Sequence, residues 1–493
     1  MGKIYKRRKA MGFKKITAAV LTVIFLGMAG CSGGSQMEQN EMLLDKDKPV
    51  TITIWHYYNG VQQLSFDEMV QEFNDTVGME KGIIVEAFSK NSVNELAESV
   101  METVDQGGKD SPDIFGTYAE TAYLVDEKGM LADLSPYFTQ EELDEYVAAY
   151  INEGDIGNDG RLMIFPAAKS TEVFVLNVTD WADFSSSCGV TYDDLKTWEG
   201  LTATAEKYYD FTDAQTPDVP NDGKAFFGRD SMGNYMVVGA KQLGHPFISY
   251  NDNGEVEYSC DKDTLKRLWA NYYVPFVKGC FASESRFRSD DMRIGAILGM
   301  VCSNTGAMYW PTEVTVGDSY TYPVDTVILP VPDFMGTESY ACQQGAGLSV
   351  MKSDAKTEYA CAVFLEWFTE DERNLQFSVN SGYLPVKKDT NDFDKVLATS
   401  PDMGSVMAET FKTAIDEVNS RTLYTAPPSE KSAEIRDFVG SYLDDTSIAD
   451  AATVKERVAA GEERSKVLED YCSDSAFETW YAGFVSGFES ITG

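Results

Sequence analysis

Thr51-Ile-Thr-Ile-Trp55, Gly82-Ile-Ile-Val-Glu-Ala87 and Asp113-Ile-Phe115 are three short apolar runs rich in β-branched residues, and the fold is read from what separates them. Each has the length and composition of a buried strand. After the first comes a loop, His56-Tyr-Tyr-Asn-Gly60. Ser65 with Glu68 three residues on then forms a capping-box pattern, with Phe66, Met69, Val70, Phe73 and Val77 at helical spacing. Ser92 and Glu95 repeat the pattern ahead of Val93, Leu96, Val100 and Val104. Strand, helix, strand, helix, strand at this spacing predicts a parallel α/β sheet. Ligands of such sheets sit beyond the strands' carboxyl ends, which singles out the loops His56–Gly60 and Gly116–Glu120.

Downstream, the turn Asn158-Asp-Gly160 precedes two strand-like runs, Arg161-Leu-Met-Ile-Phe-Pro166 and Glu172-Val-Phe-Val-Leu-Asn177. Asp193 to Tyr209 is mainly helical in pattern, and Thr212 to Gly223, rich in Asp, Pro, Asn and Gly, reads as a long loop. Thr326-Val-Ile-Leu-Pro330 is again strand-like and leads to Gln343-Gln-Gly-Ala-Gly-Leu-Ser-Val350. Ala360, Val363, Phe364 and Trp367 mark a helix, and the C-terminal part is largely helical apart from Pro427-Pro428.

Upstream of the first strand, Lys3, Lys6, Arg7, Arg8, Lys9, Lys14 and Lys15 precede an uncharged apolar run from Ile16 to Met28, the layout of a secretion signal. The run is short for a bilayer span, which needs about 20 apolar residues. Its end, Leu26-Gly27-Met28-Ala29-Gly30-Cys31, resembles bacterial lipoprotein signals, and that resemblance implies lipid attachment to Cys31 after cleavage of residues 1–30. The polar stretch 31–49 reads as a flexible tether. The seven later cysteines contain no CxxC pair, so neither zinc nor thioredoxin-like chemistry is expected, and a scattered odd set suggests buried thiols.

With 493 residues, 43% hydrophobic and 24% charged, the chain has a globular composition and length for two large or about three domains. Its formal charge is −38, and −45 once the seven basic residues of the signal are removed; such a surface repels a phosphate backbone, so no nucleic-acid partner is expected. The two histidines, His56 and His245, lie outside any HExxH, and there is no Walker motif. Gly345-Ala-Gly347 enters a strand rather than a helix, against a dinucleotide fingerprint. Asp155, Asp159 and Gly160 fail as a calcium loop because the twelfth position is Pro166. No cofactor or metal is expected. Aromatic residues beside polar ones recur instead, at Trp55, Tyr57, Tyr58, Tyr118, Tyr309 and Trp310, a combination suited to stacking on a sugar while bonding its hydroxyls. Core packing is the competing reading of each.

In order along the chain, Ile52-Thr-Ile-Trp-His56, Glu72-Phe-Asn74, Ser111-Pro-Asp-Ile-Phe115, Gly129-Met-Leu-Ala-Asp-Leu134, Asp159-Gly-Arg-Leu-Met-Ile-Phe-Pro166, Ser303-Asn-Thr-Gly306 and Ser381-Gly-Tyr-Leu-Pro385 together resemble the extracellular solute-binding proteins of ATP-driven importers, in particular the carbohydrate-binding family with maltose- and glycerol-3-phosphate-binding members. The resemblance implies a two-lobe α/β fold closing on a ligand, with residues 50–170 and 326–400 in the first lobe and 171–325 and 401–493 in the second. It implies a monomeric binder, not an enzyme, held outside the cell membrane by its lipid and delivering a carbohydrate or polyol to permease subunits. A surface glycosidase is the alternative of another class, and a purely structural lipoprotein a third. Expected ligand-binding residues are Tyr57, Tyr58 and Tyr118 at strand-end loops, Asn304, Thr305 and Trp310 opposite, and Lys169, Ser170 and Gln344 near the crossing segments. The acids and tryptophans that face sugar in maltose binders are not recognisable at matching spacing.

Overall fold

The computed structural model describes residues 40–317 and 320–493. Two four-stranded sheets organise the chain. β1 (Val50–His56), β2 (Ile83–Ser89), β3 (Ile114–Thr117) and, much later, β8 (Gly347–Val350) form the first, in the order β8-β3-β1-β2. β1 pairs parallel with β2 and β3, as the strand–helix alternation predicts, and β8 closes the edge antiparallel to β3. The second sheet holds β4 (Glu172–Asn177), β5 (Phe227–Arg229), β6 (Gly299–Ser303) and β7 (Thr326–Leu329) in the order β7-β4-β6-β5. Here β4 runs antiparallel to both β6 and β7, while β5 is parallel to β6.

One apolar core fills the first lobe and continues onto one face of the second sheet, where Val173, Val175, Met300 and Cys302 meet Phe411, Ala414 and Ile415 of the helix Ser405–Ser420. The opposite face, with Phe174, Leu176 and Val301, belongs to a second core closed by Trp198, Tyr235, Phe334 and the C-terminal helices through Ile435, Phe477 and Phe484. Period-two alternation along β4 sends neighbouring side chains to different cores, and both must be apolar because neither face meets water. The lobes are joined where Lys169–Glu172 and the segment around Gln344 cross, Ser170 and Gln344 exchanging two backbone hydrogen bonds of 2.9 Å each. A short parallel ribbon, Tyr340–Cys342 with Thr422–Tyr424, runs alongside.

Several local expectations are corrected. The first helix spans Gly60–Phe73 with Asn59 at its N-cap, so Ser65 and Glu68 lie inside it; residues 61–64 contain no breaker, and the helix extends through them. Ser92 does cap its helix, accepting from the Glu95 N–H. Arg161–Pro166 is not a strand: it makes one isolated bridge, Phe165 to Leu348, and ends in a proline with no N–H to give a ladder. Residues 326–329, expected in the first lobe, lie in the second sheet, because β7 finds its partner in β4. Within the expected tether, Leu43 and Leu44 lie against the first core, and the Lys356 ammonium donates to the Lys48 carbonyl at 2.7 Å. The earlier part, with Cys31 and the expected signal, lies outside the described residues. Cysteines 188 to 472 are all free thiols. Among the described residues no helix is long and apolar enough to cross a membrane, and no cluster of three His, Cys, Asp or Glu could hold a metal.

Candidate functional site

The cleft runs along the crossing segments, where the carboxyl ends of β1 and β3 face the second lobe. At the end of β1, the Tyr57 hydroxyl accepts from the Ala346 N–H at 3.3 Å and from the Tyr383 hydroxyl at 3.1 Å. The Tyr58 ring is buried among Phe66, Phe377 and Tyr383. Tyr118 holds the N-cap position of the helix Ala119–Glu127 and is half-buried, its phenol raised above the ordinary range by burial. These positions follow from the parallel sheet, whose strands deliver their following loops to one edge.

Lys169 is 0% exposed; its ammonium pairs with Glu153 and donates to the Gly345 carbonyl at 2.6 Å. Glu153 also accepts from the Gln343 amide at 2.8 Å. Gln344 has a buried side-chain oxygen with no partner. Asn304 joins the lobes: its side-chain oxygen accepts from the Thr171 N–H at 2.8 Å, and its amide donates to the Gly382 carbonyl at 2.7 Å. Thr305 lies beside that contact, its backbone 3.2 Å from where a Cβ on Gly382 would stand. Trp310 is 7% exposed and forms part of the first core. The structure therefore gathers Tyr57, Tyr118, Lys169, Ser170 and Gln344 around the Gly345–Ala346 turn, sets Asn304 and Thr305 against Gly382, and packs Tyr58 and Trp310 into the core.

Beyond the crossing segments lies a buried polar group that the sequence reading missed. Arg229, at the end of β5, donates through Nη2 to both carboxylate oxygens of Glu172, at 2.8 and 2.7 Å. Asn234 donates to the same carboxylate at 3.0 Å and accepts from Arg436. The guanidinium of Arg229 lies 5.6 Å from the Trp198 ring centre and 5.5 Å from that of Tyr235, within cation–π reach of both. Across from Arg436 stands Glu120, half-buried, whose carboxyl is raised by burial against the opposing pull of Arg436. Asn234 and Arg436 are 202 positions apart; no local pattern could have paired them.

The enclosed spaces near these residues are small. A cavity of about 20 Å³ lies among Glu172, Trp198, Arg229, Cys342 and Glu417, and one of about 10 Å³ lies between Glu120 and Arg436. Such volumes hold about one water molecule. A roomier concavity, about 370 Å³, lies near the other end of β3 among Gly107, Asp113, Gly129 and Lys352 and carries no aromatic face.

The family model described as "Bacterial extracellular solute-binding protein" matches residues 68–404. No curated protein matches the sequence. Among solved structures, the chain is similar to a cyclic α-maltosyl-1,6-maltose binding protein from Arthrobacter globiformis, with 17% identity, 88% of this chain and 100% of the other covered, and a TM-score of 0.61. UgpB from Mycobacterium tuberculosis, solved in complex with glycerophosphocholine, gives 16% identity, 90% and 98% coverage, and a TM-score of 0.62. The maltotriose binding protein of Thermus thermophilus, bound with maltotriose, gives 16%, 90% and 100%, and 0.57. At these identities the likeness is one of fold, the two-lobed architecture described above. With more than half its length matched by the family model, the chain belongs to the bacterial extracellular solute-binding proteins.

Proposed function

We propose that the protein captures a carbohydrate or related polyol between its lobes and delivers it to the permease of an ATP-driven importer. The observation that carries this reading is the set of polar and aromatic residues at the crossing segments: Tyr118, Ser170, Thr305 and Gln344 on one side, and the Glu172–Arg229–Asn234 group on the other. Aromatic faces beside directional donors and acceptors suit a ring with hydroxyls. A similar fold bound to maltotriose supports a carbohydrate ligand. Tyr57, Lys169 and Asn304 hold the contact residues in place, and Tyr58 and Trp310 back them from the core. The first lobe comprises about residues 50–170 and 345–400, the second 171–330 and 401–493. Closure follows from a ligand that touches both walls and so stabilises the closed state. The protein acts as a monomer and is a binder, not a glycosidase.

A melting assay with glucose, maltose, maltotriose, sorbitol and glycerophosphocholine tests this. At a hundredfold excess over its dissociation constant the true ligand stabilises by about 2.7 kcal/mol, read as a rise in melting temperature. No shift with any compound refutes the reading, and release of glucose from maltotriose would make the protein a hydrolase. Anchoring through Cys31 rests on the signal that precedes it; Cys31→Ser abolishes incorporation of labelled palmitate, and persistent labelling places the anchor elsewhere.

A further inference from the structure

Two groups lining the cavity of about 20 Å³ carry buried polar atoms without a hydrogen-bond partner: Nε of Arg229 and Oε2 of Glu417. Each residue is only 3% exposed, and folded proteins pair nearly all such atoms. Glu417 lies on the helix Ser405–Ser420; its other oxygen accepts from the Val331 N–H at 2.9 Å and stands 3.4 Å from the Arg421 guanidinium. Burial pushes its carboxyl up to about 8 against the pull of Arg421, with Asp333 and Glu172 adding to the rise. The rise favours the protonated form at neutral pH, and with Oε1 already accepting from the Val331 N–H, Oε2 is the oxygen left to hold a proton.

The cavity thus presents an N–H and an O–H with no acceptor, in a space the size of one oxygen atom with its hydrogens. An anion fits poorly, because Glu172 already neutralises Arg229 and lines the same cavity. Thr171, Glu172 and Cys342, also in the lining, adjoin the Ser170–Gln344 bridge, so the cavity lies beside the crossing segments. We propose that it is a terminal subsite that takes one uncharged oxygen of the captured ligand, with Glu417 as a specificity-determining residue. The proposal rests on the carbohydrate reading above.

The test is calorimetric titration at pH 7 of the full folded chain with glucose, maltose, maltotriose and glycerophosphocholine, using wild type, Glu417→Gln and Glu417→Met. A neutral saccharide should bind wild type. Glu417→Gln, whose amide donates from the same place, should keep affinity within threefold, and Glu417→Met should lose at least tenfold. Equal affinity in the Met variant, or equal loss in both variants, overturns the subsite and leaves the carbohydrate reading standing. Binding of glycerophosphocholine alone overturns the uncharged ligand, and failure of every compound removes the carbohydrate reading and the subsite with it. Should Glu417→Met fail to melt cooperatively, a crystal structure of the saccharide-bound wild type decides: a sugar oxygen within 3.2 Å of both atoms, the usual hydrogen-bond reach, supports the proposal, and water alone there overturns it.

Discussion

Lys169→Met should lower the unfolding free energy by about 3–5 kcal/mol, the range found when one partner of a buried ion pair is removed. Lys169 and Glu153 have side-chain exposures of 0% and 5%, so the variant leaves a carboxylate in the interior with only the Gln343 amide for company. A second consequence follows from the other bond of the ammonium. It donates to the carbonyl of Gly345, a residue at φ +83° whose missing Cβ would stand 2.5 Å from the Ala168 carbonyl oxygen. This turn places Gln344 and Ala346, and hence Tyr57, at the cleft. The double variant Lys169→Met, Glu153→Met removes both charges and should recover most of the lost stability, since replacing a whole buried pair by apolar side chains is often neutral. Urea unfolding of the two variants and wild type is the measurement. A single variant within 1 kcal/mol of wild type, a change typical of an exposed pair, would contradict the buried pairing.

Acidification should destabilise the protein through His56 by about 3 kcal/mol between pH 6.5 and pH 4. His56 ends β1 with its ring 1% exposed, 4.8 Å from the ring of Phe66 and 5.4 Å from that of Tyr58, and neither ring nitrogen has a partner. Burial pushes its pKa from 6.5 down to about 4. Above pH 6.5 the ring is neutral in both states, and no penalty exists. As pH falls below 6.5 the unfolded chain takes up a proton that the folded chain refuses, so stability drops until pH approaches 4. His56→Leu removes this contribution, and also the two unsatisfied nitrogens, which gains about 1 kcal/mol at pH 7. The gap in unfolding free energy between variant and wild type should therefore widen from pH 7 to pH 4. A gap independent of pH would show that His56 takes up its proton as readily in the folded chain as in the unfolded one.

The legible part of this protein was local. The runs at Thr51–Trp55, Gly82–Ala87 and Asp113–Phe115 are strands because β-branched residues at strand length, separated by amphipathic helices, have one economical packing, and parallel pairing of β1 with β2 and β3 follows from it. The same rule directs the loops that carry Tyr57 and Tyr118 to one edge of the sheet. Ser92 was readable as a cap because capping is a matter of three residues. Ser65 shows the limit: the pattern marks where a helix can begin, and only the neighbouring chain decides whether it does.

The buried charged group beyond the crossing segments was not legible at all. Arg229 and Glu172 are 57 positions apart, and Asn234 and Arg436 are 202 apart; among 79 acidic and 41 basic residues nothing local distinguishes these from solvated surface charges. Burial separates them, and burial is a property of segments that meet in space. Lys169 and Trp310 carry the same lesson from the other side, since a basic and an aromatic residue at loop-like positions turn out to be enclosed by chain that arrives much later in sequence. Periodicity within a dozen residues is enough to set the strand–helix alternation, and through it the first lobe's sheet and the edge where its loops collect. Which charges are paired, which aromatics are core, and where β7 finds its partner were decided only by the tertiary structure, because desolvation and long-range pairing act on neighbours that the sequence does not list side by side.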